Sequence, residues 1–203
     1  MSDPQDWRAF ALLLIDVQQD FWPDETAQAF PDFEAHITRL CAFCRTSGID
    51  IIHIRAQFEP DQSDWMAKYR VSGSIPCIRG TAGAGLLPCA QELPGEKVLI
   101  KQTFDAFLQP ELLSHLRRHN KRFILTAGLV TSVCVLLTTA SAAQQGFLTA
   151  MVEDCCADDP ECHAHTLEQY PFIFECTTVD RLSTNYSAWM DELNKLSNHG
   201  GRP

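Results

Sequence analysis

Three residues far apart in the chain carry complementary chemistry in similar local settings. Asp16 follows the apolar run "ALLLI" and Lys101 follows "VLI". Cys134 stands in "GLVTSVCVLLTTA" (128–140), where a strand-like run gives way to a small-residue helix. A carboxylate directly after an apolar strand is partly desolvated, which raises its pKa and suits it to accept a proton. An ammonium beside it keeps the carboxylate charged and lowers the pKa of a nearby thiol. The free N–H groups at a helix start favour thiolate as well. Together the three would support attack of sulfur on a carbonyl. Each also has a plain structural reading: Asp16 as a turn cap, Lys101 as a snorkelling side chain, Cys134 as a core thiol. On residue type alone both readings stay open.

The elements that must position these residues are legible as alternation. Apolar runs of strand length occur at 10–16, 49–56, 97–101, 122–128, 147–154 and 171–176. Their apolarity is continuous, as in strands covered on both faces. Helical patterns fall between and after them, at about 34–47, 110–119, 132–145, 161–169 and 180–196. The pattern predicts an α/β three-layer sandwich with a six-stranded, mostly parallel sheet of Rossmann type, in one domain over 1–203 with a frayed tail at about 197–203. In such sheets ligands lie beyond the carboxyl ends of the strands, which is where Asp16, Lys101 and the turn before Cys134 fall. From Phe58 to Glu96 little helical period is seen, and segments of that length are usually functional or disordered. Its "GTAGAG" lacks the Lys-Ser/Thr of a phosphate loop.

Composition narrows the partners. With 16 Lys and Arg against 26 Asp and Glu, the 203 residues carry a net charge of −10. That balance argues against a nucleic-acid surface, and the basic stretch "HLRRHNKR" (115–122) has no interleaved aromatics for base stacking. No apolar run approaches a membrane span, and "MSDPQDWR" lacks the regions of a secretory signal, so a cytoplasmic location is expected. Nine cysteines, an odd number in a chain of this length, suit a reducing compartment. Cys41 and Cys44 have redox or zinc spacing but lie in the apolar pattern of a helix with no second pair, which favours core packing.

The blocks "ALLLIDVQQDFW", "VLIKQTFDAF" and "AGLVTSVCVLLTTASAAQQGF" together resemble the signature blocks of the isochorismatase-like cysteine hydrolases. The similarity continues through "GTAGAGLLP", "VEDCCAD" and "FECTTVDRL", over roughly 10–182. The resemblance implies a catalytic triad of Asp16, Lys101 and Cys134. It also implies a cis peptide between Leu129 and Val130, with the N–H groups of Val130 and Cys134 as an oxyanion hole. No cofactor is expected. Nicotinamidases of the superfamily carry an Asp-x-His pair and a further histidine that hold a metal. Here that place reads "HIRAQFEPDQSDW", with His53 inside the strand and no further histidine until His115, so neither a metal nor nicotinamidase activity is expected.

Phe21, Trp22, Gln57, Trp65, Tyr69, Arg70 and Phe104 are the candidate substrate-binding residues. Aromatics with one arginine suit a small planar amide or ureido compound. The leading expectation is a metal-independent hydrolase of a C–N bond in an amide, carbamoyl or ureido substrate, working through a thioester. The alternatives are vinyl ether hydrolysis of isochorismate to a dihydroxybenzoate and pyruvate, and a non-catalytic family member. Nucleic-acid and membrane partners are not expected; self-association into a homo-oligomer is.

Overall fold

Every residue of "FALLLI" is buried, because the strand it forms, β1 (Phe10–Ile15), runs through the middle of the molecule. The computed structural model describes residues 5–198. The other strands are β2 (Asp50–Ala56), β3 (Lys97–Lys101), β4 (Phe123–Leu129), β5 (Leu148–Ala157) and β6 (Glu175–Thr177). They form one sheet in the order β3-β2-β1-β4-β5-β6, and every pair is parallel. The chain order reverses between β1 and β4, the position at whose carboxyl ends sheets of this kind bind ligands.

The period-two alternation of each strand divides the core into two layers. Phe10, Leu12 and Leu14 face α2 (Phe33–Ser47) and α7 (Leu182–Asn198), packing with Ile37, Leu40, Cys41, Cys44 and Trp189. Ala11, Leu13 and Ile15 face the opposite side, covered by α4 (Pro110–Arg118), α5 (Leu136–Gln144) and α6 (Pro160–Gln169). Cys41 and Cys44 are core residues, as their helical spacing implied.

The structure departs from the sequence reading in four places. Residues 171–174 are not strand: Ile173 and Phe174 both donate their N–H to the Tyr170 carbonyl, and β6 begins only at Glu175. The apolar run "PFIF" serves a turn in which Phe174 is buried and Phe172 exposed. Two six-residue helices, α1 (Asp24–Ala29) and α3 (Ala67–Ser72), are too short to show a period. The segment 58–96 is ordered around its own apolar nucleus of Phe58, Trp65, Ile75 and Cys77 with Ala56 of β2. Finally, helix α7 extends through Ser197 and Asn198, where the frayed tail was placed; the rest of that tail lies outside the described residues. Among the described residues no helix is long and apolar enough to cross a membrane.

Gly128 allows β1 and β4 to meet at their carboxyl ends. Its φ is +126°, and a Cβ there would stand 1.9 Å from the Ile15 carbonyl oxygen. Gly128→Ala therefore sets backbone against backbone next to Asp16, and should cost about 3 kcal/mol or more of stability, read by urea unfolding.

Candidate active site

Asp16 ends β1 with φ +50°, a left-handed conformation that aspartate tolerates better than most residues. Its N–H is tied to the Ile54 carbonyl of β2 at 2.9 Å. Lys101, the last residue of β3, passes beyond the end of β2 and places Nζ 2.6 Å from Asp16 Oδ2. The two side chains are 0% and 1% exposed, so both charges are removed from water and depend on each other. Nζ also donates to the Thr103 carbonyl at 2.9 Å and to Cys134 Sγ at 3.6 Å. Asp16, Lys101 and Cys134 thus meet in one place although they come from strands β1, β3 and the turn after β4.

Cys134 lies in a π-helical turn, Thr131–Val135, that leads directly into α5. The Leu129–Val130 peptide before it is cis. The thiol joins the core layer under α5 and also reaches the lysine, so the packing and the chemical readings both describe it. Asp16 Oδ1 is buried without a hydrogen-bond partner, which leaves that oxygen available for a proton.

Burial and charge act on the three groups in different directions. Burial pushes the Cys134 thiol well above its ordinary range, and Asp16 adds to the rise while Lys101 only partly opposes it. Burial also raises the Asp16 carboxyl against the pull of Lys101. For Lys101 burial acts downward, but its contacts with Asp16 and Cys134 outweigh it, and the lysine is raised above its ordinary range. Ionising the sulfur beside Asp16 would set a second negative charge against a single buried ammonium, which is why the thiol is pushed up.

Supporting contacts fix the three groups. Gln18 donates Nε2 to the carbonyls of Ala56 and Ala84 and accepts from the Ala56 N–H, each at 2.9 Å, which joins β2 to the segment 58–96. Asp105 accepts from the Phe107 N–H at 2.8 Å and from Ser141 Oγ of α5 at 2.5 Å, and its carbonyl takes Thr103 Oγ1 at 2.8 Å. These residues went unnoticed in the sequence, because a buried amide or an acid in a turn carries no spacing signal.

A family model described as the isochorismatase domain matches residues 10–196. The chain belongs to the isochorismatase family of hydrolases. An isochorismatase family protein from Desulfovibrio vulgaris superposes with a TM-score of 0.80 at 26% identity, over 89% of this chain and 99% of that one. A probable inactive nicotinamidase of Arabidopsis thaliana is 27% identical, over 92% of this chain and 97% of its own. The fold is shared with N-carbamoylsarcosine amidase of Thermoplasma acidophilum, with a TM-score of 0.70 at 20% identity over 84% of this chain and 96% of that one.

Around this isochorismatase-family centre the candidate binding residues divide. Burial raises the Tyr69 phenol, and the side chain lies near enough to Cys134 and Lys101 for both to act on it. Its ring lies 6.3 Å from that of Phe104 and 6.4 Å from that of Phe58. Phe21 packs against the apolar nucleus of the 58–96 segment. Trp65 is buried in that nucleus, with Nε1 bonded to the Glu59 carbonyl at 2.7 Å. Trp22 stacks on Phe33 at 4.5 Å, on the α2 side of the sheet. Arg70 is exposed and donates to the Ser63 carbonyl at 2.8 Å. The Gln57 carboxamide faces the Arg79 guanidinium, and with its oxygen turned that way it accepts from Nε and Nη2 at 3.0 Å. His53 is held by Glu96 at 2.8 Å, and among the described residues no group of three His, Cys, Asp or Glu side chains is arranged to hold a metal ion.

A neutral resting thiol has a direct signature. The rate of Cys134 modification by iodoacetamide, followed by peptide mass spectrometry, should still be climbing at about pH 9, beyond the ordinary thiol value of about 8.5. A plateau below about pH 8 would mean that the sulfur is already ionised in the resting protein.

Proposed function

We propose that the protein is a cysteine hydrolase that cleaves a C–N bond in a small amide, carbamoyl or ureido compound through a thioester. The observation that carries this reading is the buried contact of Lys101 Nζ with both Asp16, at 2.6 Å, and Cys134 Sγ, at 3.6 Å. A buried ion pair next to a thiol is costly to maintain for packing alone. The relationship in fold to an amidase of an N-carbamoyl compound is consistent with it.

The chemistry begins with a protonated sulfur. As the substrate carbonyl approaches, Asp16 takes the thiol proton and sulfur forms the C–S bond. Lys101 remains charged and offsets the negative charge as it passes from carboxylate to sulfur to substrate oxygen. The N–H groups of Val130 and Cys134 are assigned to that oxygen. Among the described residues the Val130 N–H has no other hydrogen-bond acceptor. Collapse of the tetrahedral adduct breaks the C–N bond, and the nitrogen leaves with the proton held by Asp16. Water, deprotonated by the same carboxylate, then adds to the thioester carbon and restores the thiol. The aromatic rings of Tyr69 and Phe104 favour a flat substrate body.

The test is release of ammonia or amine from a panel of amides, ureido acids, N-carbamoyl amino acids and nicotinamide, with isochorismate included and pyruvate as its readout. Cys134→Ala and Asp16→Asn should each lower turnover of the best substrate by at least about a thousandfold. Undiminished turnover in Cys134→Ala would exclude the thioester route, and pyruvate release would replace it with vinyl ether hydrolysis.

A further inference from the structure

We propose that Asp158 is a positioning residue for the reacting turn, acting through Ser132; the proposal rests on the reading of Cys134 as nucleophile. Asp158 Oδ2 accepts from the Ser132 N–H at 2.8 Å and from Ser132 Oγ at 2.6 Å. Ser132 lies in the same turn as Cys134, two residues before it.

That turn has no cap of its own. The residue before it is Val130, which has no side-chain acceptor to offer, whereas helix starts are normally satisfied by a neighbouring Ser, Thr, Asp or Asn. The acceptor comes instead from a carboxylate 26 residues further along the chain. Asp158 immediately follows β5, the strand paired with β4, so the bond fixes the turn relative to the sheet rather than only relative to itself. Among the described residues Asp158 has no ion-pair partner, and its other oxygen is taken by the Asp159 N–H at 2.8 Å. Its charge is therefore directed at Ser132, and hydrogen bonds to an ionised acceptor are stronger than neutral ones.

A second strut stands beside it. Thr131 Oγ1 and His163 Nδ1 of α6 are 2.8 Å apart, and the His163 ring is held edge-on by Phe30 at 5.0 Å. Asp159, which caps α6 by accepting from the Glu161 and Cys162 N–H groups, anchors the helix that carries His163. Residues 158 and 163 thus grip the two positions that follow Val130. Small displacements of a reacting group are expensive, so a link of this kind acts on turnover more than on affinity.

The experiment compares Asp158→Ala with Asp158→Asn, which keeps an acceptor oxygen. On the fastest substrate of the panel, kcat should fall about tenfold or more in Asp158→Ala with KM within about threefold, and Asp158→Asn should stay within about threefold of the parent. Amide hydrogen exchange over 130–136 should accelerate about tenfold or more in Asp158→Ala while β1 keeps its parental protection. Exchange needs no turnover, so a parent protein that hydrolyses nothing in the panel would defeat the proposed function while exchange still judged the role of Asp158. Parental exchange over 130–136 in Asp158→Ala, or protection lost across the whole sheet, overturns the inference. If Asp158→Ala does not fold, Ser132→Ala carries the same comparison.

Discussion

A lysine and an aspartate that have both left water hold this molecule to one arrangement. Neither Asp16 nor Lys101 is tolerable alone where it stands, since an unpaired buried charge costs several kcal/mol even after relaxation. The pair spans strands that are not neighbours: β2 lies between β1 and β3. Its geometry is therefore satisfied only when three strands are in register, which makes the carboxyl ends of the sheet an all-or-none assembly. Thr103 contributes its carbonyl to the ammonium, and Asp105 holds the turn that carries Thr103.

The sulfur is subordinate to that pair. Burial and the neighbouring carboxylate favour a neutral thiol, while the ammonium 3.6 Å from Sγ pulls the other way. In the proposed reaction a sulfur that ionises only as substrate arrives would be shielded from chance oxidation and alkylation, because thiolate is the reactive form. The helix start, which by itself favours thiolate, is outweighed here by burial.

Much of this was legible in the sequence, for identifiable reasons. Strands buried on both faces read as unbroken apolar runs, and β1 to β5 were found within a few residues of their ends. Asp16, Lys101 and Cys134 were legible because a polar residue directly after such a run has few places to go other than the sheet edge. The "PFIF" run misled because aromatic residues serve a turn over a core as readily as a strand. The pull of Lys101 on the thiol was legible but the burial that opposes it was not, because sequence shows which charges exist and not how much solvent remains around them. Asp158 and Gln18 were missed because their partners are a turn 26 residues away and the backbone of another strand. Of the candidate pocket residues, Tyr69 and Phe104 lie together near the charged centre, whereas Trp22 and Trp65 are engaged in packing.

The segment between β2 and β3 has its own small nucleus and is fastened to the rest of the molecule by Gln18, by Leu87 and Ala90 in the main core, and by the bonds of Glu92 and Glu96 to Arg55, His53 and Arg45. It brings Tyr69 to the mouth while contributing nothing to the ion pair. Under the proposed function, the reacting groups and the ring of Tyr69 beside them sit on separately built parts. Such a division lets a lineage retool what it accepts by recasting one interchangeable cap, with the strand ends beneath left untouched.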